Sequence, residues 1–212
     1  MATFQIDPAH TDVLFSAKHM MVTTVRGKFT QVSGSIDIDE TDPTKSKAEI
    51  FVATASVDTG FGGRDTHLRS DDFFAAERFP EMRVTSTAIR PKGGNDFIVT
   101  ADVTIREITR SVDFEVEFLG FYPAMDGARR AGFSAKAKVN RKDWDLNWNV
   151  ALEAGGWLVG EQVKLEVEVA VQRAIANSAA ILSAMTTTDR RFGAPSMPSP
   201  LRVTDRGAIL HG

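Results

Sequence analysis

Cysteine is absent from the 212 residues of this chain. The fold therefore uses no disulfide bond, no thiolate metal ligand and no thiol nucleophile. Tyr122 is the only tyrosine, and the chain has neither a G-x-S-x-G motif nor a glycine-rich phosphate loop. We therefore expect a protein that is stabilised by packing and lacks the common machinery of an enzyme.

Long apolar runs are also missing, since none approaches the roughly 18 to 20 residues of a membrane-spanning helix. The first residues, MATFQIDPAH, lack the basic and apolar regions of a secretory signal, which predicts a cytoplasmic location. The formal net charge is −3, so no strong positive field favours nucleic acid. The sequence predicts a soluble protein with no transmembrane segment and no nucleic-acid partner.

Apolar and polar residues alternate along much of the chain, and this period of two is typical of β-strands. In residues 109–120, for example, Val112, Phe114, Val116 and Phe118 alternate with acidic residues. We expect about eight strands bounded by turn residues. They cover residues 11–20, 26–39, 46–58, 80–90, 95–106, 109–120, 130–139 and 161–173.

The alternation changes phase in a few places. The shift after Phe29 predicts a β-bulge near Thr30 or Gln31. Phe51 and Ile89 also depart from the pattern of their segments. A bulge bends a strand, so such breaks are consistent with a sheet that curls.

Eight amphipathic strands hide their apolar faces either in a two-sheet sandwich or in a closed barrel. Small inward residues such as Gly34, Ala101 and Ala137 leave unfilled space inside a barrel, which favours an apolar lumen. The alternative is that they only ease curvature around a dry core. We predict an all-β fold, an eight-stranded antiparallel β-barrel with a short helical turn in the 60–75 loop.

Beyond Arg173 the alternation stops. Residues 174–185 suit a short helix, and the residues that follow are punctuated by Pro and Ser without periodicity, as in a flexible segment. We therefore expect a barrel domain over residues 1–173 and a C-terminal tail over residues 174–212.

The inward faces of the strands supply the candidate ligand contacts. Almost no charged residue lies on them, so a bound molecule must be mostly apolar, because desolvating an unpaired polar group costs several kcal/mol. A long lipid fits, since each buried methylene contributes about 0.8 kcal/mol. The predicted lumen contacts are Phe15, Ala17, His19, Ile36, Phe97, Val99, Ala101, Phe114, Val116, Phe118, Phe133, Ala135 and Val167.

Several motifs, in order, resemble the YceI family of lipocalin-like, polyisoprenoid-binding proteins. The most specific is RDTHLRSDDFF at residues 64–74, and FQIDPAHTDVLFSAKHM at 4–20 and NRKDWDLNW at 140–148 support it. The resemblance covers residues 4–173. It implies a lipocalin-like barrel that holds an isoprenoid quinone, a polyprenyl phosphate or a fatty-acid-like amphiphile as carrier, reservoir or sensor. Glu107 stands where the family commonly has glycine, which predicts an altered turn.

The longest connections, residues 59–79 and 140–160, are where access and recognition are expected on a barrel. Arg64, Asp65 and His67 either contact a ligand headgroup or pin the loop, and the second interpretation is favoured. The tryptophans either stack over the entrance or plug one end. The predicted contacts at the mouth are Arg64, Asp65, His67, Phe73, Phe74, Trp144 and Trp148.

His10, His19 and His67 do not have the spacing of metal ligands, so we expect structural histidines and no metal site. No catalytic residue is predicted, and the only expected cofactor-like group is a bound polyisoprenoid or other lipid. Two alternatives stay open: an enzyme acting on a small apolar substrate, and an interaction module that uses the C-terminal tail. A homodimer is also left open.

Overall fold

The computed structural model describes residues 1–123, 128–153 and 155–173, and most of this part is β-structure. The short helix and flexible tail predicted for 174–212 lie outside the described residues. The strands are β1 (Ala2–Ile6), β2 (Asp12–His19), β3 (Thr23–Phe29), β4 (Val32–Ile38), β5 (Lys47–Ala53), β6 (Val57–Asp58), β7 (Glu81–Gly93), β8 (Asp96–Ile105), β9 (Ile108–Pro123), β10 (Arg129–Asn140) and β11 (Val159–Arg173). The helix α1 is Gly62–Arg69, and 3₁₀ turns occur at Pro8–His10, Pro43–Lys45, Thr54–Ser56 and Arg141–Trp144.

These segments form one closed antiparallel barrel with eight strand positions. Three positions are each filled by two consecutive segments. β1 and β2 both pair with β11, β4 and β3 pair with β1 and β2, and β5 and β6 pair with β4 and β3. Strand positions that follow each other in the sequence are neighbours in the barrel. The ring closes through β11, which pairs with β10 on one edge and with β2 and β1 on the other. The predicted eight-stranded barrel is confirmed.

The strand register explains the alternation in the sequence. Ala135 lies opposite both Val116 and Val167, so neighbouring strands bring apolar residues together inside the barrel. Lys136, the next residue, lies opposite Glu115 and Glu166 on the outside. Opposite charges at facing positions stabilise a sheet modestly.

Breaks in the alternation coincide with breaks in the strands. β3 ends at Phe29 and β4 begins at Val32, so the phase change at Thr30 and Gln31 marks an interrupted strand. In β7 the register shifts between Ser86 and Ala88. This shift places Ile89, which departs from the pattern in the sequence, on the wall of the barrel interior.

β1 has no counterpart among the predicted strands, of which the first begins at residue 11. Phe4 in this strand is fully buried and packs against Phe121, with ring centroids 6.0 Å apart. Its alternation is too short to be recognised as a period before Pro8 ends it.

The two ends of the barrel differ. One end, the helix end, carries the β2–β3 hairpin, the α1 loop over residues 59–80, and residues 141–158. The other end, the rim end, carries the β4–β5 connection over residues 39–46 and the β7–β8 hairpin. The helical turn predicted in the 60–75 loop is confirmed as α1. In the described ranges no helix has the length and apolar composition needed to cross a bilayer.

Aromatic side chains fill the barrel near the helix end. Phe29 packs against Phe15 at 5.5 Å and against Phe74 at 5.6 Å between ring centroids. A second cluster around Trp144 and Leu146 also includes Phe74. The helix-end half of the interior is therefore closed by its own side chains.

Gly34 is a position where the backbone requires glycine. Its φ is 136°, and an added Cβ would lie 2.2 Å from the carbonyl oxygen of Glu49. Gly93 has a similar φ of 132° but open space around it. The two glycines therefore separate the cost of the backbone conformation from the cost of a steric clash.

We expect Gly93→Ala to lower the free energy of unfolding by about 1–3 kcal/mol through backbone strain. Gly34→Ala adds a clash, which should cost about 1–3 kcal/mol more. Urea unfolding of both variants measures the difference, and equal losses would contradict the close approach of β4 and β5.

Candidate functional site

An apolar cavity of about 320 Å³ lies inside the barrel on the side of the rim end. This volume falls within the range of about 300–1,000 Å³ that is usual for small-molecule sites. Its apolar lining consists of Val13, Ile36, Ile38, Pro43, Ala48, Ile50, Val52, Val84, Ile89, Phe97, Val99, Ala101, Phe114, Val116, Phe118, Phe121, Phe133, Ala135, Val167 and Val169.

Most of the predicted lumen contacts line this cavity together. They are Ile36, Phe97, Val99, Ala101, Phe114, Val116, Phe118, Phe133, Ala135 and Val167. Phe15, Ala17 and His19 do not line it. These three lie along β2 toward the helix end, where Phe15 packs on Phe29. Alternation shows which face of a strand a residue is on but not its position along the barrel axis. It therefore could not separate Phe15, Ala17 and His19 from the residues that line the cavity.

The polar part of the lining marks the rim end. Asp39, Glu40, Ser46 and Lys47 border the cavity, and all come from the β4–β5 connection or its junction with β5. Ser86, the remaining polar residue of the lining, accepts a hydrogen bond from the Ala48 amide at 2.8 Å. Polar groups are thus concentrated at one end of an apolar cavity. These rim residues are not among the contacts predicted from the sequence, because no local pattern shows where a connection borders a cavity.

An ion pair braces this rim. The Arg129 guanidinium donates two hydrogen bonds to the Glu40 carboxylate, at 2.5 Å and 2.8 Å. It also lies 3.9 Å from the ring centroid of Phe121, which lines the cavity. The hydrogen bond from Arg129 lowers the pKa of Glu40 below its usual range. The pair joins the start of β10 to the β4–β5 connection.

The carboxylate of Asp39, in the same connection, has a structural role. Asp39 accepts hydrogen bonds from the backbone amides of Thr41 and Asp42, both at 3.1 Å. The hydroxyl of Thr41 also donates to Asp39 and is the main cause of the lowered pKa of this carboxyl. Lys47, in contrast, forms no ion pair within the described ranges.

Arg64 and Asp65, predicted at the mouth, instead hold the α1 loop together. Asp65 is buried and accepts from the Thr59 amide at 2.9 Å and from its hydroxyl at 2.5 Å. Arg64 donates to the same hydroxyl at 2.7 Å and to the Thr59 carbonyl oxygen at 3.0 Å. Both side chains therefore fix the start of the helix.

The aromatic residues predicted at the mouth also close the helix end. His67 stacks edge-on against Trp148 at 4.4 Å and bonds to Asp72 at 2.8 Å. Phe73 packs on Trp148 at 5.5 Å. Trp144 is 1% exposed and donates to the Val103 carbonyl oxygen at 2.9 Å. None of the predicted mouth contacts, Arg64, Asp65, His67, Phe73, Phe74, Trp144 and Trp148, lines the cavity.

The histidines considered as metal ligands lie apart. His10 bonds to Asp7 at 2.9 Å, and His67 bonds to Asp72. Over residues 1–123, 128–153 and 155–173, no group of three or more His, Asp or Glu side chains is placed to hold a metal ion. The geometry thus describes an apolar cavity with a polar rim.

The family model of the YceI-like domain matches residues 4–171. The chain belongs to this family. A UPF0312 protein of Staphylococcus epidermidis is 38% identical over 167 residues, which cover 78% of this chain and 95% of that protein. A UPF0312 protein of Staphylococcus aureus is 34% identical with the same coverage.

Solved structures share the fold of this YceI-like barrel. A Campylobacter jejuni YceI protein superposes with a TM-score of 0.64 at 27% identity, over 74% of this chain and 90% of that one. Burkholderia cenocepacia BcnA has a TM-score of 0.65 at 24% identity, over 78% and 98%. A polyisoprenoid binding domain from Saccharophagus degradans has a TM-score of 0.61 at 14% identity, over 82% and 100%.

The resemblance in sequence predicts an altered turn at Glu107. In the turn between β8 and β9 the left-handed residue is Arg106, with φ of 57°, and Glu107 is outside that region. The turn therefore places its strained position at Arg106.

We expect Asp65→Ala to lower the free energy of unfolding by about 1–3 kcal/mol, because the partly buried amide and hydroxyl of Thr59 lose their acceptor. Asp58→Ala, which removes an exposed carboxylate that accepts from the Gly60 amide, is the matched control and should cost less. Urea unfolding measures both. A neutral Asp65→Ala variant would contradict the loop-pinning role.

A second prediction concerns pH. Because the pKa of Glu40 is lowered in the folded protein, the ion pair stabilises the fold at neutral pH, and this contribution is lost as pH falls through the lowered pKa. Glu40→Gln should flatten the acid limb of a plot of unfolding midpoint against pH. Glu117→Gln, on β9, is the control, and the same flattening in both variants would contradict the assignment.

Proposed function

We propose that this YceI-like barrel binds a long apolar lipid in its lumen, as a carrier, reservoir or sensor, and performs no chemistry on it. The observation that supports this proposal is the cavity of about 320 Å³, whose walls are apolar and whose charged groups are confined to one end. This arrangement matches an amphiphile with its tail inside and its polar group at the rim.

The energetics favour a hydrocarbon tail. Each methylene buried against these walls contributes about 0.8 kcal/mol, so a tail needs no specific polar contact to bind. A polar ligand would leave its groups unpaired among Phe97, Phe114 and Phe133, at a cost of several kcal/mol. The volume suits a segment of a long chain, with the remainder extending past the rim.

We propose a polyisoprenoid, such as an isoprenoid quinone or a polyprenyl phosphate, as the ligand class, with a fatty-acid-like amphiphile as the alternative. The Saccharophagus degradans neighbour is described as a polyisoprenoid binding domain, which supports the first. At the rim, Lys47 offers an ammonium group to a phosphate or carbonyl oxygen. The proposed headgroup contacts therefore lie at the rim, whereas Arg64, Asp65 and His67, which the sequence suggests as headgroup contacts, lie at the helix end.

A binding role fits the lining better than catalysis. Among the described residues that line the cavity none is a histidine, and the charged ones are Asp39, Glu40 and Lys47 at the rim. Asp39 and Glu40 are engaged in structural hydrogen bonds. The cytoplasmic location and the absence of a nucleic-acid partner stay predictions, and a homodimer stays open.

Native mass spectrometry tests this proposal. The purified protein should carry a lipid that organic solvent extracts, and the delipidated protein should bind an added polyprenyl phosphate or isoprenoid quinone. A protein that is purified empty and binds neither lipid would contradict the proposal.

Ala135→Trp should weaken lipid binding by at least about tenfold, because the indole fills the cavity that the alanine lines. Lys136→Trp places the same ring on the outer face of the same strand and should bind normally. Equal binding by both variants would show that the lipid lies elsewhere, and their circular dichroism spectra check that both fold.

A further inference from the structure

Basic side chains cluster on the outside of the barrel near the helix end. Lys138 lies opposite Lys164 on the neighbouring strand, Lys164 lies opposite Ser16, and Ser16 lies opposite Arg26. Lys18, on the same face of β2, packs beside Gly160. We call Lys18, Arg26, Lys138 and Lys164 the basic face. All of its members are exposed.

The basic face is not neutralised by the protein. In the part of the chain that the structure describes, none of its side chains forms an ion pair. Like charges at facing positions of a sheet repel each other, yet Lys138 and Lys164 face each other in a chain whose net charge is −3. The four residues of the basic face border a depression of about 450 Å³, and the described part of its lining includes one carboxylate, that of Glu166.

Apolar side chains protrude beside this face. Met20, Met21 and Val22, at the tip of the β2–β3 hairpin, are 50%, 67% and 79% exposed, and Trp157 is 51% exposed. They are neighbours, since the Met20 amide donates to the Leu158 carbonyl oxygen at 2.8 Å. We call Met20, Met21, Val22 and Trp157 the apolar tip.

The backbone of the apolar tip has an unusual conformation. Met20 and Met21 have φ values of 51° and 60°, a left-handed conformation that non-glycine residues seldom adopt. The sulfur of Met21 lies over Gly156, where an added Cβ would be 2.3 Å away. Exposed apolar clusters of this kind mark interaction surfaces.

We propose that the basic face and the apolar tip together form a docking surface for an anionic lipid bilayer. Lys18 and Arg26 lie on the two strands that the hairpin connects, so one surface presents both cations and apolar groups. A bilayer takes both, because tryptophan and apolar side chains enter the interface while lysine and arginine approach lipid phosphates. Each basic residue near an anionic surface strengthens binding by about fivefold.

Other partners match only half of this surface. A nucleic acid would neutralise the basic face but leave the aliphatic side chains of Met20, Met21 and Val22 in water. An apolar protein groove would cover the tip and leave the cations unpaired. This inference does not rest on the ligand of the cavity, because the docking surface lies toward the helix end and the polar rim lies at the other end.

Vesicle flotation with the full chain tests the proposal. The protein should bind vesicles that contain phosphatidylglycerol, bind phosphatidylcholine vesicles at least about tenfold more weakly, and lose affinity as salt rises, because screening weakens charge attraction. Absence of binding to the anionic vesicles would overturn the proposal. Tighter binding of an oligonucleotide that displaces the vesicles would overturn it in favour of nucleic acid.

Charge reversal tests the basic face. Lys138→Glu with Lys164→Glu should reduce binding to the anionic vesicles by at least about tenfold. Lys45→Glu with Lys92→Glu makes the same change of charge at the rim end and should reduce it less. Lys138→Gln with Lys164→Gln repeats the test should the reversed pair fail to fold. Equal binding by wild type and either basic-face pair would overturn the proposal.

The apolar tip has its own test. Met21→Ser with Val22→Ser should weaken vesicle binding severalfold, whereas Leu119→Ser, at an exposed apolar site near the rim end that is 55% exposed, should not. Vesicles should also shift the tryptophan emission to shorter wavelength, and Trp157→Phe should remove that shift. Persistence of the shift without Trp157, or full binding without the Met21 and Val22 side chains, would overturn the proposal. Unchanged circular dichroism spectra of these variants confirm that they are folded.

Discussion

The pairing of β11 on both of its edges is the constraint on which the rest of the structure depends. One edge follows β10 over most of its length, and the other follows β2 and then β1. Without the second set of hydrogen bonds the sheet would be open, and its apolar face would need a different cover. Closure turns this face into the wall of an interior, so the cavity and the separation of inner from outer side chains both follow from it.

Much of this fold is readable from the sequence because, in a closed barrel, every strand has an apolar inner face and a polar outer face. The alternation in residues 109–120 and 161–173 reports the inner and outer faces directly. It is less informative where the chain bends. Ile89 is out of phase with its segment because the register of β7 shifts before it, and β1 is too short to show a period although Phe4 is fully buried.

The candidate site is readable only in part, for a geometric reason. A period of two identifies which residues face inward, and Phe97, Phe114 and Phe133 do line the cavity. The period gives no information about position along the barrel axis. Phe15 faces inward as they do, but it lies among the aromatic rings that fill the helix-end half. The longest loops suggested the entrance, yet they fold inward and pack, as Trp144 shows. The short connection at Glu40 borders the opening instead.

The helix-end half of the barrel is filled by its own side chains, and this constrains how the proposed lipid would move. A lipid held as proposed would enter tail first and leave by the same route, because the filled half gives it no second exit. Two such lipids would not pass each other in a cavity of about 320 Å³. Exchange of the proposed ligand would therefore proceed through an empty protein, and the departure of the first lipid would limit its rate.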